Sequence, residues 1–106
     1  MLPKAELECR EPEMNKLEAA FARELSCRPA ILWWGFEPLK LRLAKKCFYT
    51  PDFGVLYKDR SFHLYEVKGF WREDARVKLK VAAQSFPMFS FHAVTRTKSG
   101  WRQEDF

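Results

Sequence analysis

Cysteine, histidine and glycine are all scarce in this chain of 106 residues. The three cysteines, Cys9, Cys27 and Cys47, are widely spaced and form no CxxC pair, and His63 and His92 are the only histidines. That set fits neither a zinc site nor a disulfide framework. The thiols read as reduced cysteines of a cytoplasmic protein. Four glycines and six prolines exclude collagen-like and low-complexity chains. No stretch approaches the ~18 uninterrupted apolar residues of a membrane span, so no membrane partner is expected. Met1-Leu2-Pro3-Lys4-Ala5-Glu6 carries no apolar h-region, so no secretion signal is expected.

What is present is an ordinary globular balance, 47% hydrophobic and 31% charged. Residues 1–13, rich in Glu and Lys with Pro3 and Pro12, read as a flexible leader. Residues 14–106 suffice for one domain with one two-layer core. A net charge of +5 favours a polyanionic partner, most often nucleic acid. Aromatic residues reach 16%, and most of them are expected to fill the core.

Met14, Leu17, Phe21 and Leu25 recur at helical spacing, predicting a helix to about Ser26 that Arg28-Pro29 ends. Ala30 to Phe36 is apolar and fits strand or loop. Leu39, Leu41 and Leu43 alternate with Lys40 and Arg42 as a half-buried strand does. Cys47–Tyr57 and Phe62–Lys68 read as the next two strands. Ala75, Leu79, Ala82, Ala83 and Phe86 mark a second helix over about 72–86, stopped by Pro87. Phe89–Thr95 reads as a fourth strand, and 97–106 as a polar tail pinned by Trp101. The order helix, strand, strand, strand, helix, strand predicts an α/β fold with a mixed four-stranded sheet flanked by helices.

The chemistry concentrates in Thr50-Pro51-Asp52-Phe53 and Tyr65-Glu66-Val67-Lys68-Gly69. Glu66 and Lys68 leave the same face of a strand, which Phe62 and Leu64 would otherwise make apolar. Two acids on neighbouring strands and a lysine are the parts of metal-assisted phosphodiester hydrolysis. Carboxylates suit Mg²⁺, a bound metal lowers the pKa of its water, and a lysine neutralises developing charge. The plain alternative is a solvated strand end beside a turn aspartate.

Pro51-Asp52 with Glu66-Val67-Lys68 resembles the PD-(D/E)xK nuclease superfamily. Asn15-Lys16-Leu17-Glu18-Ala19-Ala20-Phe21, Phe48-Tyr49-Thr50-Pro51-Asp52-Phe53, Glu66-Val67-Lys68-Gly69-Phe70-Trp71 and Asp74-Ala75-Arg76-Val77-Lys78-Leu79-Lys80 are similar to a small family of phage and prophage endonucleases. Holliday-junction resolvases and virus-type replication-repair nucleases share that core. The resemblance covers roughly residues 14–95, and the leader departs from it. It implies a restriction-endonuclease-like core and a cytoplasmic DNA endonuclease using Mg²⁺ or Mn²⁺, with branched or junction DNA as a substrate and a homodimer as a further expectation. By the same resemblance Asp52 and Glu66 are metal ligands, the Val67 carbonyl completes the metal shell, and Lys68 is the catalytic lysine. A first-helix glutamate joins the site. Periodicity leaves Glu18 and Glu24 open, and the match to Asn15-Lys16-Leu17-Glu18 selects Glu18.

On the second helix Arg72, Arg76 and Lys80 recur every four residues, as a solvated edge or as a rail for phosphates. Lys80 and Gln84 are the candidates to reach the active centre. Val77 and Val81 lie opposite the core and offer a dimer face. Trp33 and Trp34 divide between core burial and base stacking. His63 and His92 read as packing or surface residues. Rivals to the nuclease reading are a nucleic-acid-binding module and a protein-inhibitor module of the same fold without catalysis.

One geometric requirement follows. Asp52 and Glu66 share a metal only if they leave the same face of the sheet. A three-residue loop, Lys58-Asp59-Arg60, pairs Tyr57 with Ser61 and sets Asp52 opposite Glu66. An unbulged two-residue loop puts Asp52 on the wrong face.

Overall fold

The computed structural model describes residues 13–70 and 72–106. The expected leader, apart from Glu13, and Trp71 of the quoted motif lie outside the described residues. Helix α1, Lys16–Ser26, opens with a capping box. Asn15 Oδ1 accepts from the Glu18 N–H at 2.7 Å, and Glu18 Oε1 accepts from the Asn15 N–H at 2.9 Å. Phe21 and Leu25 are its buried face, as the periodicity predicts.

The strands are β1 (Ile31–Phe36), β2 (Leu41–Ala44), β3 (Cys47–Tyr49), β4 (Phe53–Tyr57), β5 (Phe62–Val67), β6 (Ser90–Thr97) and β7 (Gly100–Asp105), with helix α2 (Glu73–Ser85) between β5 and β6. The fold is α/β. Five strands form a mixed sheet in the order β1-β4-β5-β6-β7, parallel only at β5–β6, and β2–β3 form a separate two-stranded sheet.

The expected four-stranded sheet is corrected at three places. The apolar 30–36 segment is edge strand β1, paired with β4. The 47–57 strand divides at Pro51, which has no N–H for a ladder, and its two halves join different sheets. The polar tail is strand β7, where alternation puts Trp101 against Phe21 at 5.1 Å between ring centres. One sheet face packs Phe53, Val55, Tyr65, Val67 and Val94 against α1. The other packs Leu64, Phe91 and Ala93 against Leu79 and Ala82 of α2 and against Leu41 and Tyr49 of the small hairpin. Burial of about 25 cal/mol per Å² on both faces makes these layers the main source of stability. Pro38 crosses close over β4 at Gly54, where a Cβ would stand 2.7 Å from its ring.

The β4–β5 hairpin has the three-residue loop that the site requires. Tyr57 N–H donates to Ser61 O at 3.0 Å, and Arg60 takes the left-handed φ of 74° that closes such a loop. Phe53 pairs with Tyr65 and Gly54 with Leu64, so the same register carried back sets Asp52 opposite Glu66. No helix among the described residues is long and apolar enough to cross a membrane.

Candidate functional site

Pro51 is fully buried and delivers Asp52 to the start of β4. Glu66 stands near the end of β5, on the face that holds Leu64 and, from the small hairpin, Tyr49. Burying a carboxylate requires partners, and Glu66 has two. The Tyr49 hydroxyl donates to Oε1 at 2.7 Å, and Lys68 Nζ lies 3.1 Å from Oε2. The Glu66 side chain is only 12% exposed and that of Lys68 30%. Burial, then Glu66, raises the Tyr49 hydroxyl far above its ordinary pKa, so it stays a donor.

Asp52 Oδ2 accepts the Val67 N–H at 2.9 Å. Its pKa is pushed up to about 7, first by burial and then by the charge of Glu66. The Val67 N–H opposes that rise, the charge of Glu18 adds to it, and Lys68 again opposes it. The Glu66 carboxylate disfavours a second negative charge on Asp52.

A cavity of about 430 Å³ opens here, with Glu66 and Lys68 on its sheet side, Phe48, Tyr49 and Thr50 on its hairpin side and Asp74, Ala75, Lys78 and Leu79 on α2. Asp52 is half-buried and is not among the lining residues.

The structure therefore brings Asp52, Glu66, Val67 and Lys68 together. Glu18 reaches Asp52 through its charge. Its carboxylate serves the α1 capping box, and α1 packs on the other face of the sheet. Arg72, Lys80 and Gln84 are exposed and do not line the cavity. Arg76 is ion-paired with Glu104 of β7. With 3.6 residues per turn, Arg72, Arg76, Lys80 and Gln84 lie along one flank of the core face, and Asp74 and Lys78 along the other. The cavity takes the second flank, so Asp74 and Lys78 stand where Lys80 and Gln84 were expected. Sequence reasoning also missed Tyr49, although it lies inside the quoted motif.

Among the described residues no three of His, Cys, Asp and Glu are grouped to hold a metal ion. The donor set fits a weaker requirement. Mg²⁺ is commonly held by one or two carboxylates, with water and substrate phosphate supplying the rest. Asp52 and Glu66 are such a pair, and both are oxygen donors. The chain matches no family model, no curated protein and no solved structure.

Trp34 packs against Phe53 at 5.7 Å, whereas Trp33 is 48% exposed and stacks on Phe62. His63 and His92 belong to a polar network on the α1 face. His63 Nδ1 and His92 Nε2 are 2.7 Å apart, and Asp105 Oδ1 lies 2.7 Å from His92 Nδ1.

Proposed function

We propose that the protein is a divalent-metal-dependent endonuclease that hydrolyses DNA phosphodiester bonds on a restriction-endonuclease-like core. One observation carries the reading. Asp52 and Glu66 oppose each other across an antiparallel register, on one face, with Lys68 3.1 Å from Glu66. The five-stranded mixed sheet is compatible with that core, and the +5 charge with a DNA partner.

Mg²⁺ or Mn²⁺, when bound, would polarise the scissile phosphate and lower the pKa of a water molecule. Asp52 and Glu66 would hold it, with the Val67 carbonyl as the third protein oxygen. Val67 N–H fixes one Asp52 oxygen and Tyr49 fixes one Glu66 oxygen, so each carboxylate would offer its other oxygen to the ion. Lys68 Nζ lies 3.1 Å from Glu66 Oε2. Its ammonium would orient the attacking water or neutralise charge on the phosphoryl oxygens. Glu18, held by its cap, acts on Asp52 through its field.

The rival, a binding module without catalysis, draws on the Tyr49–Glu66–Lys68 network, which is satisfied without an ion. A nuclease assay decides between them. Plasmid, linear, flap and four-way-junction DNA are incubated with Mg²⁺, Mn²⁺ or EDTA. Cleavage with metal and none with EDTA is expected. Asp52→Ala and Glu66→Ala should fall to background, and Lys68→Ala about 100- to 1,000-fold. Wild-type rates in both acid variants would remove the assignment.

A further inference from the structure

The β2–β3 hairpin has two unlike faces. Leu41 and Tyr49 are buried against the sheet, with Leu43 packed beside them. Leu43, Ala44 and Cys47 line an apolar trough of about 280 Å³ with Val77 and Val81 of α2. The two valines, expected on an open face opposite the core, therefore flank the hairpin. The outer face is different in kind. Arg42 pairs with Phe48 across the two strands, and side chains alternate along a strand, so both point away from Leu41 and Tyr49. Lys40 joins them, its Nζ 4.7 Å from the Phe48 ring centre. Lys45 and Lys46 form the two-residue tip.

This face is basic and uncompensated. Between Pro38 and Thr50 the chain has Lys40, Arg42, Lys45 and Lys46 and no acid, and all four cations are exposed. Among the described residues none of the four is ion-paired, whereas Arg28, Lys68 and Arg76 each have a carboxylate partner. Like charges crowded without an acid among them keep their potential for an anion that comes from outside. Phe48 is also among the residues that line the Glu66–Lys68 cavity, so the basic face begins at the edge of that cavity.

We infer that the outer face of this hairpin is a docking surface for the DNA backbone, with Lys40, Arg42 and the Lys45–Lys46 tip on phosphates and Phe48 holding Lys40 in place. The inference rests on the nuclease reading above and moves the main phosphate contact from α2 to the hairpin. The expected line of cations 72-76-80 is broken at Arg76, which is paired with Glu104, and Asp74 adds an acid to the helix. The hairpin has no such interruption. Phosphates offer charge in series, and affinity comes from the counterions released as protein cations replace them. Arginine can take one phosphate through two parallel N–H bonds. Phe48 acts through Lys40, because the ring face attracts the ammonium. A second copy of this chain fits less well, since a twofold axis would set the hairpin against its own like charge. An anionic bilayer also fits less well. Among the described residues of the outer face only Phe48 is a large apolar side chain that could enter it.

The test is fluorescence anisotropy in EDTA, where metal-dependent cleavage is off, with a labelled DNA duplex over a series of salt concentrations. Circular dichroism checks the fold of each variant. Lys40→Ala with Arg42→Ala should flatten the slope of log affinity against log salt by about two units, close to one per lost phosphate contact. Lys45→Ala alone, at the tip, should flatten it by about one. Lys58→Ala with Arg60→Gly removes the same charge at the other end of β4 from Asp52, keeps the left-handed turn at position 60, and should leave the slope as it is. Phe48→Ala should weaken binding about two- to five-fold and have no effect once Lys40 is alanine. Equal flattening by the hairpin pair and the distant pair would reduce the effect to net charge and overturn the inference. So would an unchanged slope in the hairpin variants, or a wild type that binds phosphatidylserine vesicles and not DNA. Cleavage in Mg²⁺ is scored separately. The expected slope changes without any cleavage remove the nuclease reading and keep the docking face. Cleavage with a slope indifferent to Lys40 and Arg42 removes the face and keeps the nuclease.

Discussion

Tyr49 does for Glu66 what Val67 N–H does for Asp52: each fixes one carboxylate oxygen and leaves the other for a cation. Partners that orient a ligand in this way are worth roughly 10–100-fold in metal affinity. Tyr49→Phe should therefore weaken Mn²⁺ binding by about that factor and lower cleavage at subsaturating metal. Saturating metal should restore most of the rate. The lost hydrogen bond to a charged group costs about 1.5–3 kcal/mol of stability, which thermal unfolding reads. Unchanged metal affinity in Tyr49→Phe would show that Glu66 is oriented by Lys68 or by packing alone. Tyr49 and Glu66 are 17 residues apart in the chain. Only the separate hairpin brings them together, so the pairing was not legible in the sequence.

At the scale of elements, β5, β6 and β7 are joined on the α1 face by the His63–His92–Asp105 chain, with Ser61 Oγ 2.9 Å from His63 Nε2. Burial, then the neighbouring His92, lowers the His63 pKa from its ordinary 6.5, while Asp59 and Asp105 oppose the shift. A depressed imidazole means that the unfolded chain takes up a proton first as pH falls. The contribution of this group is full above the unfolded value of 6.5 and is lost as pH drops toward the lower folded value. Urea denaturation at about pH 7.5 and about pH 5.5 should show a smaller acid loss in His63→Gln than in the wild type. Equal losses would place the acid sensitivity elsewhere.

The β4–β5 hairpin was the most legible pair of elements, because alternation and loop length together fix a register. Asp52 opposite Glu66 follows from counting. Edge strands were the least legible. The 31–36 run is apolar without alternation, and β7 is polar except at Trp101, because an edge strand needs only one anchoring residue. Leu39–Leu43 announced a strand but not which sheet it joins, since period-2 alternation is the same in both. On α2, a search for cations at four-residue spacing selected 72-76-80. The cavity lies on the other flank, where Lys78 keeps company with Asp74.

Taken as a whole, the molecule sets a basic, partly aromatic hairpin and an α2 flank carrying Asp74 and Lys78 beside one acidic pair. The cavity itself is lined by two acids, Glu66 and Asp74, and two lysines, Lys68 and Lys78, so the excess positive charge lies outside it. The hairpin cations would draw a polyanion toward the acidic pair, where the proposed dication would be held. The claim on which everything functional depends is that Asp52 and Glu66 share that ion. Calorimetric titration of Mn²⁺ into the wild type, Asp52→Ala, Glu66→Ala and Lys68→Ala tests it without reference to any substrate. Saturable binding in the wild type and in Lys68→Ala, absent in both acid variants, is the predicted result. A wild type that takes up no Mn²⁺, or acid variants that bind it as tightly as the wild type, would contradict the account.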